Sequence, residues 1–143
     1  MAKNPKESLQ VLASKKALQI LIALLFVAMG LIGFSSGRSV GAQLSRELSN
    51  MFGGDRAFLL YIISTVELLC GIFLGVQLFV VGIPEKFSKL AVTAIWIIWI
   101  ALIVILDFLT IDFGRFNGSD WFVWIEQTVL HLIVLAGIIQ IQQ

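Results

Sequence analysis

Four apolar segments, each about as long as a membrane is thick, constrain the fold of this 143-residue chain more than any other feature. A helix crosses about 30 Å of hydrocarbon with about 20 residues, because each residue advances it by about 1.5 Å. The predicted spans cover residues 17–36, 57–82, 89–111 and 121–141. A chain of this size with a mean hydropathy of +0.98 cannot bury its own apolar surface, so lipid must cover the excess. We therefore expect an all-α integral membrane protein, a single domain folded as an up-down-up-down bundle of four helices.

Charge and residue counts exclude several classes of function. A net charge of +1 leaves no basic face for a phosphate backbone, so we expect no nucleic-acid partner. The lone cysteine, Cys70, cannot form an internal disulfide, and the lone histidine cannot supply both axial ligands of a bis-histidine haem. We predict no catalytic residue, no metal and no bound cofactor, and a quinone or a lipid is the ligand left open. Membrane lipids and either a second membrane subunit or another copy of the chain are the expected partners.

Basic residues near the ends of the spans indicate the orientation. The first apolar segment follows several lysines, as a secretory signal does, but we interpret it as a retained first span. With the N-terminus inside, the inner side carries Lys3, Lys6, Lys15, Lys16, Lys86 and Lys89, and the outer side Arg38, Arg46, Arg56 and Arg115. Because cytoplasmic flanks are the more basic, we expect both termini in the cytoplasm.

The first outer loop contains a predicted amphipathic helix over residues 40–52. Val40, Leu44, Leu48 and Met51 recur at helical spacing, and polar side chains lie off this stripe. We expect this helix to lie in the outer membrane interface. The alternative is a docking or gating element over the mouth of the bundle.

Ionisable residues at membrane depth are the candidate site, because burying them is costly. Counted from the outer span ends, Glu67 and His131 each lie about 15 Å deep, which suggests a Glu67–His131 pair. The alternative satisfies them separately, with Glu67 protonated and bonded to a backbone carbonyl, and His131 neutral and bonded to Gln127. Asp107 and Glu126 lie about 6–8 Å deep by the same count, so we expect both to reach water or an arginine.

Small residues predict where helices approach closely. Gly71 and Gly75 form a GxxxG pattern on the face of the second span that carries Glu67, and Gly30 and Gly33 give the first span a similar face. Small residues let helix backbones come close in lipid. We expect packing within the chain here, with a dimer interface as the alternative.

Two segments resemble a known family. The stretch VELLCGIFLGVQLF in the second span is similar to the signature of the DoxX and DoxX-like membrane proteins. The first span, LIALLFVAMGLIGFSSG, resembles their opening helix, and Arg38 loosely matches their basic residue after it. The resemblance implies a small bacterial inner-membrane protein with relatives in quinol-oxidising or other redox systems. It transfers no catalytic residue.

Together these patterns predict a non-enzymatic accessory or structural subunit that docks a partner or a lipid-like molecule. A quinone-linked redox accessory that uses Glu67 and His131 is the first alternative. A small proton-coupled exporter is the second.

Overall fold

The computed structural model describes residues 14–35, 38–80 and 82–142, and within these ranges the chain is helical without strands. Its elements are α1 (Lys15–Ser35), α2 (Val40–Phe52), α3 (Arg56–Val76), α4 (Glu85–Ile103) and α5 (Gly118–Gln142). A π-helical turn (Val104–Leu109) continues α4, and a 3-10 turn (Phe113–Arg115) precedes α5.

Four of these helices are long and apolar enough to cross a membrane: α1, α3, α5, and α4 taken with its π-helical turn. The all-α class and the four long apolar helices predicted from the sequence are thus confirmed. The second ends at Val76, earlier than predicted, because the chain turns there, and the third begins at Glu85, directly after Pro84. Residues 36 and 81, assigned to predicted spans, and Lys3 and Lys6 lie outside the described residues.

Local capping explains where the short helix α2 begins and ends. The Ser39 hydroxyl accepts a hydrogen bond from the backbone N–H of Ala42 at 3.1 Å, which satisfies one free donor of the first turn. At the other end Gly53 and Gly54 both have positive φ, the conformation that glycine adopts readily. Asp55 then caps α3, because its carboxylate accepts from the N–H of Ala57 at 2.8 Å.

The helix α1 is the centre of the packing. It lies along α3 for most of its length and also packs against α5, whereas α4 packs chiefly against α5. The helices α3 and α4 make few direct contacts. In the core, the Phe26 ring meets the Trp99 ring edge-on at 5.3 Å between centroids. The arrangement therefore leaves a gap between α3 and α4.

Glycines set the close approach of α1 and α3. A Cβ on Gly71 would lie 2.6 Å from the backbone nitrogen of Val27, and one on Gly30 would lie 2.8 Å from that of Leu68. Gly33 faces the Ser64 side chain in the same way. Three of the four predicted packing glycines therefore lie at this interface.

The prediction for Gly75 is wrong. A Cβ on Gly75 would meet nothing within 4 Å. The fully buried Leu74 takes its place in the interface, and the Gln19 amide donates to the Leu74 carbonyl at 2.8 Å. After Gly71, the next residue that faces α1 is therefore Leu74, three positions later, and not Gly75, four positions later.

Candidate functional site

Two buried groups of ionisable side chains occupy different parts of the bundle. The first joins α5 to the π-helical turn of α4. The carboxylate oxygen Oδ2 of Asp107 lies 2.7 Å from Nδ1 of His131, and the Gln127 amide donates to Oδ1 at 3.4 Å. Asp107 is fully buried and His131 is 7% exposed. Each side chain thus offsets part of the other's cost of burial.

Two tryptophans anchor the backbone around this pair. The Trp99 indole N–H donates to the His131 carbonyl at 2.9 Å, and the Trp124 indole N–H donates to the Asp107 carbonyl at 2.8 Å. The carbonyls near the end of a helix lack the usual partner, so the Trp124 bond satisfies an acceptor that the helix leaves free. The π-helical turn is closed by the N–H of Thr110, which donates to the Ile105 carbonyl five residues back. Turns of this type occur often at functional sites.

The prediction that Asp107 reaches water or an arginine is wrong, because Asp107 is fully buried and contacts His131. Counting residues from the helix ends assumes that α4 and α5 end at one level, which would keep Asp107 close to water. Asp107 lies two residues before the end of its helix and His131 thirteen after the start of its own, yet their side chains touch. The first two or more turns of α5 therefore extend beyond the end of α4.

An aromatic cluster fixes this offset between the helices. The Phe113 ring lies 6.0 Å from the Trp121 ring and 5.5 Å from the Trp124 ring, and Phe116 lies 5.0 Å from Trp121. The segment between the helices therefore packs along the first turns of α5 instead of crossing directly over the bundle. This packing places Asp107 opposite the middle of α5.

The predicted Glu67–His131 pair is not formed. His131 pairs with Asp107, and α1 packs against both α3, which carries Glu67, and α5, which carries His131. Equal depth therefore does not place the two side chains side by side. The alternative for His131 is also wrong, because Gln127 bonds to Asp107 instead.

Glu126, a candidate that the sequence expected to reach water or an arginine, is exposed and belongs to neither buried group. It lies five residues before His131 on α5, which places it roughly 140° around the helix from the buried face. Gln127, the next residue, is half-buried and faces Asp107.

The second buried group is Glu67 alone. Its side chain is 6% exposed, and neither Oε1 nor Oε2 has a hydrogen-bond partner among the described residues. The first turn of α2 lies directly against it, since a Cβ on Gly41 would be 2.7 Å from Oε1 and 2.9 Å from Oε2. The alternative expected from the sequence, a hydrogen bond from Glu67 to a backbone carbonyl, is likewise not found in the described ranges. An unsatisfied buried carboxyl is costly, so it calls for an explanation.

Glu67 lines an apolar cavity of about 280 Å³ in the gap between α3 and α4. It is the ionisable member of a lining that is otherwise hydrophobic: Phe26, Leu44, Ile62, Ile63, Val66, Cys70, Ile95, Ile98, Trp99 and Leu102. Ile62 and Ile98 are each 45% exposed, so the cavity opens sideways between the two helices. A cavity of this size, apolar with one polar group, has the make-up of a small-molecule site.

Sequence reasoning did not identify Gly41 or Trp99 as members of the site. Gly41 stands at the start of the amphipathic stripe, where a glycine permits the close contact with Glu67. Trp99 lies between the two groups, because it lines the Glu67 cavity while its ring meets the His131 ring edge-on at 5.8 Å. A buried tryptophan needs a hydrogen-bond partner for its indole N–H, and this requirement was the one feature of the sequence that could have indicated Trp99.

Comparison of the chain with protein-family models, with curated proteins and with solved structures finds no match. The similarity to DoxX-like proteins therefore remains a prediction from two segments, and the function has to be argued from the site.

Proposed function

We propose that this chain is a small, non-enzymatic integral membrane protein that binds a lipid-like molecule in the Glu67 cavity. One observation carries the proposal: a buried carboxyl without a partner lines an apolar cavity that opens sideways. A ligand with an apolar body and one polar group would fill the cavity and satisfy Glu67 at the same time. Of the two occupants expected from the sequence, a partner subunit and a lipid-like molecule, the cavity favours the second.

The proposal includes a location and a topology. We place the protein in a bacterial inner membrane as an up-down-up-down bundle, with both termini in the cytoplasm and α2 in the outer interface. The lysine distribution and the apolar stripe of α2 support this orientation. The cavity opening would then face lipid, and a ligand could enter from the bilayer.

Cysteine labelling tests the topology. In a Cys70→Ala background, we expect a membrane-impermeant maleimide to label Asn117→Cys in intact cells and to leave Glu85→Cys unlabelled until the cells are broken. Both positions are exposed, Asn117 directly before α5 and Glu85 at the first residue of α4, so accessibility within the fold does not separate them. The opposite pattern would place the termini outside.

Photolabelling tests the binding site. We expect a long-chain alcohol carrying a diazirine to label peptides around residues 62–70 and 95–102 of the purified protein in dodecyl maltoside. Ile98→Trp should reduce this labelling at least about tenfold, because the indole would occupy the mouth of the cavity.

The matched control is Ile97→Trp. Ile97 is exposed on the same helix and does not line the cavity, so this variant should be labelled like the wild type. Labelling spread evenly over all apolar helices, and unaltered in Ile98→Trp, would reject the cavity as a binding site.

The quinone-linked alternative depended on Glu67 and His131 acting together on one head group. The structure has these residues in separate groups, with His131 bonded to Asp107. We therefore do not carry this alternative forward.

A further inference from the structure

We infer that the Glu67 cavity selects lipophilic cations, that is, amphiphiles in which an ammonium group is attached to an apolar chain. This inference rests on the proposed function of the same cavity and specifies the chemical class of its ligand.

Charge complementarity is the first argument. Glu67 can contribute a negative charge, and neither lysine nor arginine is among the residues that line the cavity. A buried carboxylate without a counter-charge is costly, and a bound cation removes that cost. An anionic amphiphile would add a second negative charge in an apolar environment, which is unfavourable.

The unsatisfied acceptors are the second argument. Both carboxyl oxygens of Glu67 lack donors within the described part of the chain. The indole N–H of the lining residue Trp99 is already donated to the His131 carbonyl. The cavity therefore offers two unpaired carboxyl oxygens, which a ligand that brings a donor or a positive charge would satisfy.

The aromatic lining is the third argument. Phe26 and Trp99 both line the cavity and pack against each other edge-on. Aromatic rings attract cations through their negative faces, and quaternary ammonium groups are recognised in proteins in this way. A carboxylate combined with aromatic and aliphatic walls matches a cationic head on an apolar chain better than it matches a neutral alcohol.

Competition against the diazirine alcohol tests this selectivity. The competitors are decyltrimethylammonium, 1-decanol and decyl sulfate, which share one chain and differ in charge, and nonionic dodecyl maltoside micelles serve as the medium. We expect decyltrimethylammonium to displace the label from the cavity peptides at a concentration at least about tenfold lower than 1-decanol, the ratio typical of one contact to a charged group. Decyl sulfate should be the weakest competitor.

Glu67→Gln identifies the group responsible. In this variant we expect the advantage of decyltrimethylammonium over 1-decanol to disappear while 1-decanol competes as before, and the ratio within each protein cancels differences in micelle partition. Glu126→Gln is the control, since Glu126 is exposed and does not line the cavity, and it should keep the wild-type ratio.

The outcomes separate the two proposals. Equal competition by all three amphiphiles in the wild type would overturn cation selectivity and leave the lipid-like ligand intact. No specific labelling of the cavity peptides would overturn both. The wild-type comparison decides the question even if Glu67→Gln does not fold.

Discussion

Replacing His131 by leucine is expected to lower the free energy of unfolding by about 3–5 kcal/mol, because it leaves the buried Asp107 without its closest partner. Asp107 is fully buried, and after the change its side chain keeps just the long bond from Gln127 at 3.4 Å. Replacing Asp107 by leucine leaves an unpaired imidazole and should cost about 1–3 kcal/mol. Unfolding measured in mixed micelles gives each value.

The double variant decides whether the two residues act as a pair. Replacing both members of a buried polar pair by apolar residues of similar volume is often close to neutral. We therefore expect Asp107→Leu with His131→Leu to lose less than the sum of the single variants, with a coupling energy above about 1 kcal/mol. The bonds from Trp99 and Trp124 go to backbone carbonyls and survive both changes.

Glu126 supplies the control for this cycle. It lies on the same helix as His131, but it is exposed. Glu126→Gln with His131→Leu should give additive effects within about 0.5 kcal/mol. Additive effects in the Asp107–His131 cycle as well would mean that their contact does not stabilise the fold.

The length and polarity of the segments were sufficient to predict the long helices. Hydrocarbon thickness sets how many apolar residues a spanning helix needs, and this requirement is visible in the sequence without knowledge of packing. The end of α2 and the Asp55 cap of α3 were also predictable, because glycine and aspartate act locally on the backbone.

The pairing of Asp107 with His131 was not predictable in the same way. It depends on how far α5 extends beyond α4, and that offset is fixed by ring contacts of Phe113 and Phe116 with tryptophans of α5. Periodicity along one helix contains no information on the relative height of its neighbour. The burial of Glu67, in contrast, follows from its position on the same face of α3 as Gly71.

The interface of α3 with α1 shows where a small-residue motif was misleading. The residues of α3 that meet α1 are Ser64, Leu68, Gly71 and Leu74, which are separated by four, three and three positions. Mixed steps of three and four residues are typical of helices that wrap around each other with a left-handed twist, whose contact positions repeat about every 3.5 residues. A GxxxG pattern repeats every four residues instead, so Gly75 is rotated away from α1.

Gly71→Leu is therefore expected to be the most disruptive single change on α3, with a loss of about 3 kcal/mol or more, the upper end of the range for overpacking. A Cβ at this position would lie 2.6 Å from the backbone nitrogen of Val27 and 2.8 Å from the carbonyl oxygen of Ala23. Backbone atoms of a packed helix cannot rotate aside as the end of a flexible side chain can. The helices would have to separate, and the contacts along α1 would be lost.

Gly75→Leu, four residues further along the same helix, is expected to cause no loss of stability. Its Cβ meets nothing within 4 Å, and leucine favours the helical conformation over glycine by about 1 kcal/mol. Thermal unfolding of both variants in one detergent makes the comparison direct, because the substitution, the helix and the added volume are the same. Equal destabilisation by the two leucines would show that α1 packs against α3 with a four-residue repeat, and the mixed spacing from Ser64 to Leu74 would then not describe the interface.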